Sequence, residues 1–132
     1  MIQSKTKNQV NKYKLGESDE RPWGRWKVTE VGRGFIKKEI EVNPGELLSL
    51  QKHDYRNEEW IIRKGHGCVI LDGQKRDIFA GDTIIIPLGS WHRIHNTSAT
   101  KTLVFHETQY GDVLDENDII RAEDKYSRAP KK

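Results

Sequence analysis

The sequence predicts a single all-β domain, a small sandwich or barrel, and three observations predict it. Short apolar segments recur along the chain and are broken by Gly, Pro and Asp. No long stretch carries a helical period. Asp72-Gly73, set between two β-like segments, is the strongest short hairpin signal present. The length, 132 residues, allows one domain and no second, and the 34% hydrophobic content suffices for a modest core.

The elements follow in order. Residues 1–20 are rich in Gln, Asn, Lys, Ser and Glu with little apolar periodicity, and read as a flexible N-terminal arm. The folded domain is expected over 21–128, and 129–132 reads as a disordered tail. Phe35–Val42 alternates: Ile36, Ile40 and Val42 share one face with Lys38, while Lys37, Glu39 and Glu41 take the other. Asn43-Pro44-Gly45 marks a turn. Residues 47–53 and 59–63 read as the next strands, and 68–71 and Gln74–Phe79 flank the hairpin turn. Thr83–Ile86 stops at Pro87, and 91–95 and 103–109 complete the set. A short helix is expected over 115–123.

Composition excludes several classes. Lys and Arg number 23 against 20 Asp and Glu, a net charge of +3 with the signs interspersed, so no concentrated basic face and no nucleic-acid partner is expected. No window approaches the roughly 18 consecutive apolar residues of a membrane span, and the polar start lacks the apolar core of a secretory signal. A cytoplasmic location without membrane attachment is expected. The single Cys68 cannot form an internal disulfide, and within Cys68-Val69-Ile70-Leu71 it reads as a buried structural thiol.

The residues that carry chemistry lie near the turns. Gln51 and His53 project from one strand face, and a hairpin returns Glu58 close to His53. His92 comes from a later segment, just after Pro87-Leu88-Gly89. Two imidazoles, one carboxylate and one amide oxygen could hold one divalent ion: Zn, Mn, Fe, Co or Ni. Their spacing adds weight. Gly45 is followed after five residues by Gln51, after one by His53, after four by Glu58 and after six by Gly65. Gly81 is followed after five by Pro87, after one by Gly89, after two by His92 and after three by Asn96.

This two-part pattern resembles that of the cupin superfamily, with Gln51 in place of the usual first His. The departure points to a subfamily. Leu48-Ser49-Leu50-Gln51, His53, Arg56, Glu58 and Trp60 resemble the cupin domain of type II mannose-6-phosphate isomerases. Arg21-Pro22-Trp23-Gly24 is similar to its entry motif. A closing block from Glu107 through Gln109, Gly111-Asp112, Leu114, Glu116, Asp118-Ile119 and Arg121 to Arg128 is similar as well. Asp54, Tyr55 and Glu59 depart from the usual His-rich stretch.

The resemblance implies a double-stranded β-helix, a cupin jelly-roll barrel, with a metal in its lumen. In that family the domain is commonly fused to a mannose-1-phosphate guanylyltransferase. That half and any Gly-rich nucleotide loop are absent here, so nucleotidyl transfer is not expected. It implies a metal-dependent sugar-phosphate isomerase interconverting mannose 6-phosphate and fructose 6-phosphate.

Such a reaction moves a proton between C1 and C2. It needs a base, an electrophile and a phosphate anchor. Arg56, in the turn before Glu58, is the first candidate anchor, a position to which the resemblance also points, and Lys38 is the second. Lys38 has a plainer reading, its stem packing on the barrel while the amine reaches solvent. Glu58, Lys38 and Arg56 are thus the candidate catalytic residues. Glu58, His95 and Glu107 all remain open as the base. Arg93, next to His92, should point away from the metal and bind a backbone carbonyl or a partner chain. Trp91 is expected to line the pocket, Trp60 to pack in the core, and Trp23 and Trp26 to staple the N-terminal segment to the barrel. A homodimer is expected, because small barrels often bury edge strands between subunits. Two other functions stay open: a non-catalytic module binding a sugar or sugar nucleotide, and oxygen-dependent oxidation at iron.

Overall fold

The computed structural model describes residues 10–123. They form thirteen strands and, among the described residues, no helix. In chain order these are β1 Val10–Asn11, β2 Ser18–Arg21, β3 Gly24–Gly32, β4 Phe35–Val42, β5 Leu50–Lys52, β6 Arg56–Lys64 and β7 His66–Leu71. There follow β8 Gln74–Phe79, β9 Thr83–Ile86, β10 His92–His95, β11 Leu103–Gly111, β12 Val113–Leu114 and β13 Ile120–Glu123. The larger of two main sheets has six strands in the order β2-β3-β4-β11-β6-β9 and the smaller five in the order β13-β5-β10-β7-β8, while β1 and β12 form a separate two-stranded sheet. The out-of-sequence neighbours are the crossovers of a double-stranded β-helix.

Period-two alternation builds the core. Ile36, Lys38, Ile40 and Val42 of β4 are buried, as the sequence predicts. Trp26, Val28, Trp60, Ile62, Ile84, Ile86, Leu103 and Phe105 join them from the six-stranded sheet, and Val69, Ile78 and Ile94 from the five-stranded one. The inward faces of the two sheets therefore share one cluster. The β7–β8 hairpin turns at Asp72 and Gly73, whose φ values of 47° and 83° are both left-handed, the conformation a two-residue hairpin loop demands.

Register places the polar inward residues. Glu107 of β11 stands opposite Lys38 of β4 and Trp60 of β6, and Gln109 stands opposite Glu58. In the other sheet His92 stands opposite Gln51. Five strands, β4, β5, β6, β10 and β11, thus deliver polar side chains to one region of an otherwise apolar interior.

Three expectations need correction. The strand expected over 47–53 shrinks to Leu50–Lys52, with Leu47 making only an isolated bridge to His95. Leu48 and Ser49 are both buried, which consecutive residues of a half-buried strand cannot be. The helix expected over 115–123 is a turn followed by β13, which pairs with β5. The Asp115 carboxylate accepts the Asn117 N–H (3.0 Å), so the side chain competes with helical pairing from the first residue. Nor is the stretch up to residue 20 an unattached arm from residue 10 onward. β1 pairs in parallel with β12, β2 pairs with β3, and Tyr13 is buried between them in sequence. These strands are too short to show a period. The expected tail, 129–132, lies outside the described residues.

Phe105 is fully buried, its ring 4.9 Å from that of Trp60 between centroids. Phe105→Ala should destabilise the fold by about 3–5 kcal/mol. Urea unfolding should show this as a lower midpoint at unchanged slope; a change under 1 kcal/mol would mean the barrel core is not centred there.

Candidate metal centre

β6 begins with Arg56, Glu58 and Trp60 on its inward face, all buried, with Asn57 and Glu59 facing out. His53 follows β5 and His92 opens β10, and both imidazoles are buried beside Glu58. Potential ligand atoms of His53, Glu58 and His92 all lie within 4.8 Å of one another. His53 Nε2 is 3.2 Å from Glu58 Oε2, and the two imidazole centroids are 5.1 Å apart. Gln51 lines the same cavity, opposite His92 in the sheet. All four residues singled out from spacing therefore converge.

Surrounding groups hold these side chains in ligating form. His53 Nδ1–H donates to the Asp118 carbonyl at 2.6 Å, while Arg56 Nη2 donates to His53 Nε2 at 3.3 Å. Both bonds require the same tautomer, with the Nε2 lone pair facing the cavity. His92 Nδ1 donates to the Ser90 carbonyl at 2.9 Å, which likewise turns Nε2 inward. Glu58 Oε1 accepts from Trp60 Nε1 at 2.9 Å and Oε2 from Arg56 Nε at 2.8 Å. Ring nitrogens anchored through their far side, and a carboxylate anchored by outer donors, are what a metal site requires.

The electrostatics agree. Burial lowers the His53 pKa to about 4, against a partial upward pull from Glu58, and burial also lowers that of His92. Both imidazoles are thus neutral at pH 7, the form that binds metal. Burial pushes Glu58 up, but the Arg56 guanidinium and the two imidazoles more than offset it, so its carboxyl stays well below the usual range. Glu107 behaves oppositely: burial and the Glu58 charge raise it to about 8, despite Lys38 and Arg56 nearby. It hydrogen-bonds Glu58 and accepts Gln109 Nε2 at 2.7 Å. Two neutral imidazoles, an ionised carboxylate and a cavity-lining amide fit a divalent first-row metal.

The remaining predicted residues are divided. Lys38 and Glu107 line the cavity with the four. Lys38 is 4% exposed, so its amine does not reach solvent; it lies 4.0 Å from the Trp26 ring centroid and pairs with Glu116 at 2.5 Å. Arg56 is present, yet its guanidinium is engaged by Glu58, His53 and, at 3.4 Å, the Asp115 carbonyl. Trp60 packs in the core as expected and also orients Glu58. Trp91 is not brought to the cavity. It lies beside Leu50, Ile70 and Ala122 in a separate depression, 5.4 Å from the Lys52 amine. Its neighbour His92 faces inward, so Trp91 faces out. Arg93 donates to the Leu48 carbonyl at 3.0 Å, as adjacency to His92 implied. Cys68 is buried, and burial raises its thiol pKa.

Sequence reasoning assigned no role to Tyr13, Glu116 or Asp118. Asp118 holds His53 through its carbonyl and the Asp54 and Tyr55 N–H groups through its carboxylate, at 2.8 and 3.0 Å. The available signal was the resemblance of the closing block, which contains both Glu116 and Asp118.

Two measurements check the centre. Elemental analysis should find one divalent metal per native chain and a substoichiometric amount in His92→Ala; equal content would remove His92 from the site. In metal-free protein, infrared spectroscopy should show a protonated carboxylic acid at pH 7 that disappears as pH rises through about 8 and is missing in Glu107→Gln. The sign follows from a pKa raised above the ordinary carboxylate value, which keeps the proton on below pH 8.

Comparison with known proteins accords with this geometry. Residues 8–124 match the family described as mannose-6-phosphate isomerase C-terminal. The mannose-1-phosphate guanylyltransferase ManC of Salmonella typhimurium is 36% identical over 108 residues, 82% of this chain and 22% of that protein. The xanthan biosynthesis protein XanB of Xanthomonas campestris is 39% identical over 108 residues, 82% of this chain and 23% of that protein. The chain thus spans less than a quarter of the length of these relatives. A cupin-2 domain from Rhodospirillum rubrum has a similar fold, with TM-score 0.64 at 20% identity and 83% of each chain covered. A putative sugar phosphate isomerase from Acidithiobacillus ferrooxidans gives 0.59 at 23%, covering 72% of this chain and 67% of that one. The chain, a cupin barrel, therefore belongs to the mannose-6-phosphate isomerase C-terminal family.

Proposed function

We propose that the chain is a metal-dependent sugar-phosphate isomerase that interconverts mannose 6-phosphate and fructose 6-phosphate. The observation that carries this reading is one cavity holding the His53–Glu58–His92 cluster, a buried Lys38 and the acid–base group Glu107. The family match and the mannose-phosphate chemistry in its relatives' names support the substrate. Gln51, His53, Glu58 and His92 would hold the ion. When bound, it supplies an electrophile for the sugar's carbonyl oxygen.

The chain's own groups do the rest. Arg56 and Trp60 fix the Glu58 carboxylate, and Asp118 and Ser90 fix the imidazoles, so the ligand set is organised before substrate arrives. Glu107 faces the same cavity and carries a proton while Glu58 beside it is anionic. In its carboxylate form Glu107 would accept the C2 proton and return it at C1, while the proton of the O2 hydroxyl passes to O1 of the enediol. Gln109 Nε2 orients it for both transfers. Glu58, the other carboxylate open as base, is committed to Arg56, Trp60 and the ion.

Metal-loaded protein should exchange the C2 proton of mannose 6-phosphate in deuterated water, read by proton NMR. Chelation should abolish the exchange, and Glu107→Gln should slow it by about 10²–10⁴. Absence of exchange in fully loaded protein would overturn the isomerase reading; ligand binding without exchange would indicate a binding module instead.

A further inference from the structure

With Arg56 engaged by the metal ligands, the phosphate of the proposed substrate needs another anchor. The Glu116 carboxylate marks one. Lys38 Nζ and Tyr13 Oη both bond its Oε2 at 2.5 Å, and Arg21 Nη2 reaches its Oε1 at 3.4 Å. Two cations and a phenol from β4, the β1–β2 connection and β2 therefore converge on one anion. Lys38 and Glu116 line the same cavity as the metal cluster, and Glu116 keeps a third of its side-chain surface open.

A buried lysine paired to a carboxylate is rarely the most stable solution for a barrel interior, since desolvation offsets most of the attraction. The donor set is, however, the one that recognises phosphate: an ammonium, a guanidinium and a hydroxyl. Inside the cavity, the Lys38 and Arg56 cations face the Glu58 and Glu116 carboxylates. Withdrawing Glu116 leaves three donors, two of them cationic, without their acceptor. Glu116 lies in the turn between β12 and β13, where no strand ladder fixes its backbone.

We propose that Tyr13, Arg21 and Lys38 form a phosphate-monoester subsite which Glu116 occupies in the free protein and yields to the substrate's phosphate. The proposal rests on the sugar-phosphate reading above and deepens it. Glu116 is then an internal competitor whose charge sets the affinity, and Tyr13, Arg21 and Lys38 are binding residues for the non-reacting end of the sugar. The subsite joins the N-terminal segment to the reaction cavity.

Inorganic phosphate titrated into metal-free protein tests this directly. Binding is followed by calorimetry and by the indole N–H resonance of Trp26, which lies against Lys38. An internal carboxylate that holds the subsite nine-tenths of the time weakens apparent affinity about tenfold. Glu116→Gln should therefore bind phosphate about tenfold more tightly than the native protein. The gain should vanish in Glu116→Gln combined with Lys38→Met, and equally with Arg21→Met should the Lys38 variant not fold. Unchanged or weaker binding in Glu116→Gln, or a gain that survives both second substitutions, overturns the proposal. Deuterium exchange into mannose 6-phosphate alongside an unresponsive Glu116→Gln would reject this subsite and keep the isomerase. Tighter phosphate binding without exchange would do the reverse.

Discussion

An ionised carboxylate buried in the lumen is the constraint on which the rest of the molecule depends. Glu58 is 2% exposed and remains charged. Burying a lone carboxylate would cost several kcal/mol and would ordinarily neutralise it. It stays ionised because Arg56 and Trp60 donate to its two oxygens from the same strand face, two residues to either side. That local arrangement needs only period-two alternation, and it determines the state of everything nearby. Glu107, on the neighbouring strand β11, keeps its proton because burial and the Glu58 charge both favour the neutral form. The imidazoles remain neutral because burial outweighs the Glu58 attraction.

The two sheets divide the work. The six-stranded sheet supplies the charged groups, Lys38, Arg56, Glu58 and Glu107, through the registers of β4, β6 and β11. The five-stranded sheet supplies Gln51 and His92 through β5 and β10, and His53 follows directly after β5. Neither sheet alone brings both cations and imidazoles to the cavity. The reaction cavity is consequently a property of the closed barrel, and its walls are held together by one apolar cluster that takes Phe105 and Trp60 from the six-stranded sheet and Val69, Ile78 and Ile94 from the five-stranded one.

How much of this was legible in the sequence follows from the physics of each element. Alternation within β4, β6 and β11 is long enough to read, so the inward positions of Lys38, Glu58 and Glu107 could be deduced from period alone. The ligand spacing was legible because turns of fixed length separate the ligands. The same alternation rule that turned Arg93 outward also turns Trp91 outward, and applying it to only one neighbour of His92 produced the misplacement. Tyr13 could not be read. Its bond to Glu116 closes a sequence separation of 103 residues, and its flanking strands have two and four residues. The 115–118 turn was hidden for a related reason, since its side chains make their bonds to remote strands or to its own backbone.

That turn couples the two halves of the cavity. Its Asp115 carbonyl accepts from Arg56, its Glu116 from Lys38 and Tyr13, and its Asp118 carbonyl from His53. Arg56 in turn bonds His53 Nε2 and Glu58 Oε2, two atoms of the metal-ligand cluster. A divalent ion held by His53, Glu58 and His92 would meet a carboxylate whose charge Arg56 already balances. The guanidinium already has an alternative acceptor in Asp115, on the turn that also carries Glu116. The His53 imidazole, the Arg56 guanidinium and the Lys38 amine are therefore all tied to a single short segment of backbone, residues 115–118.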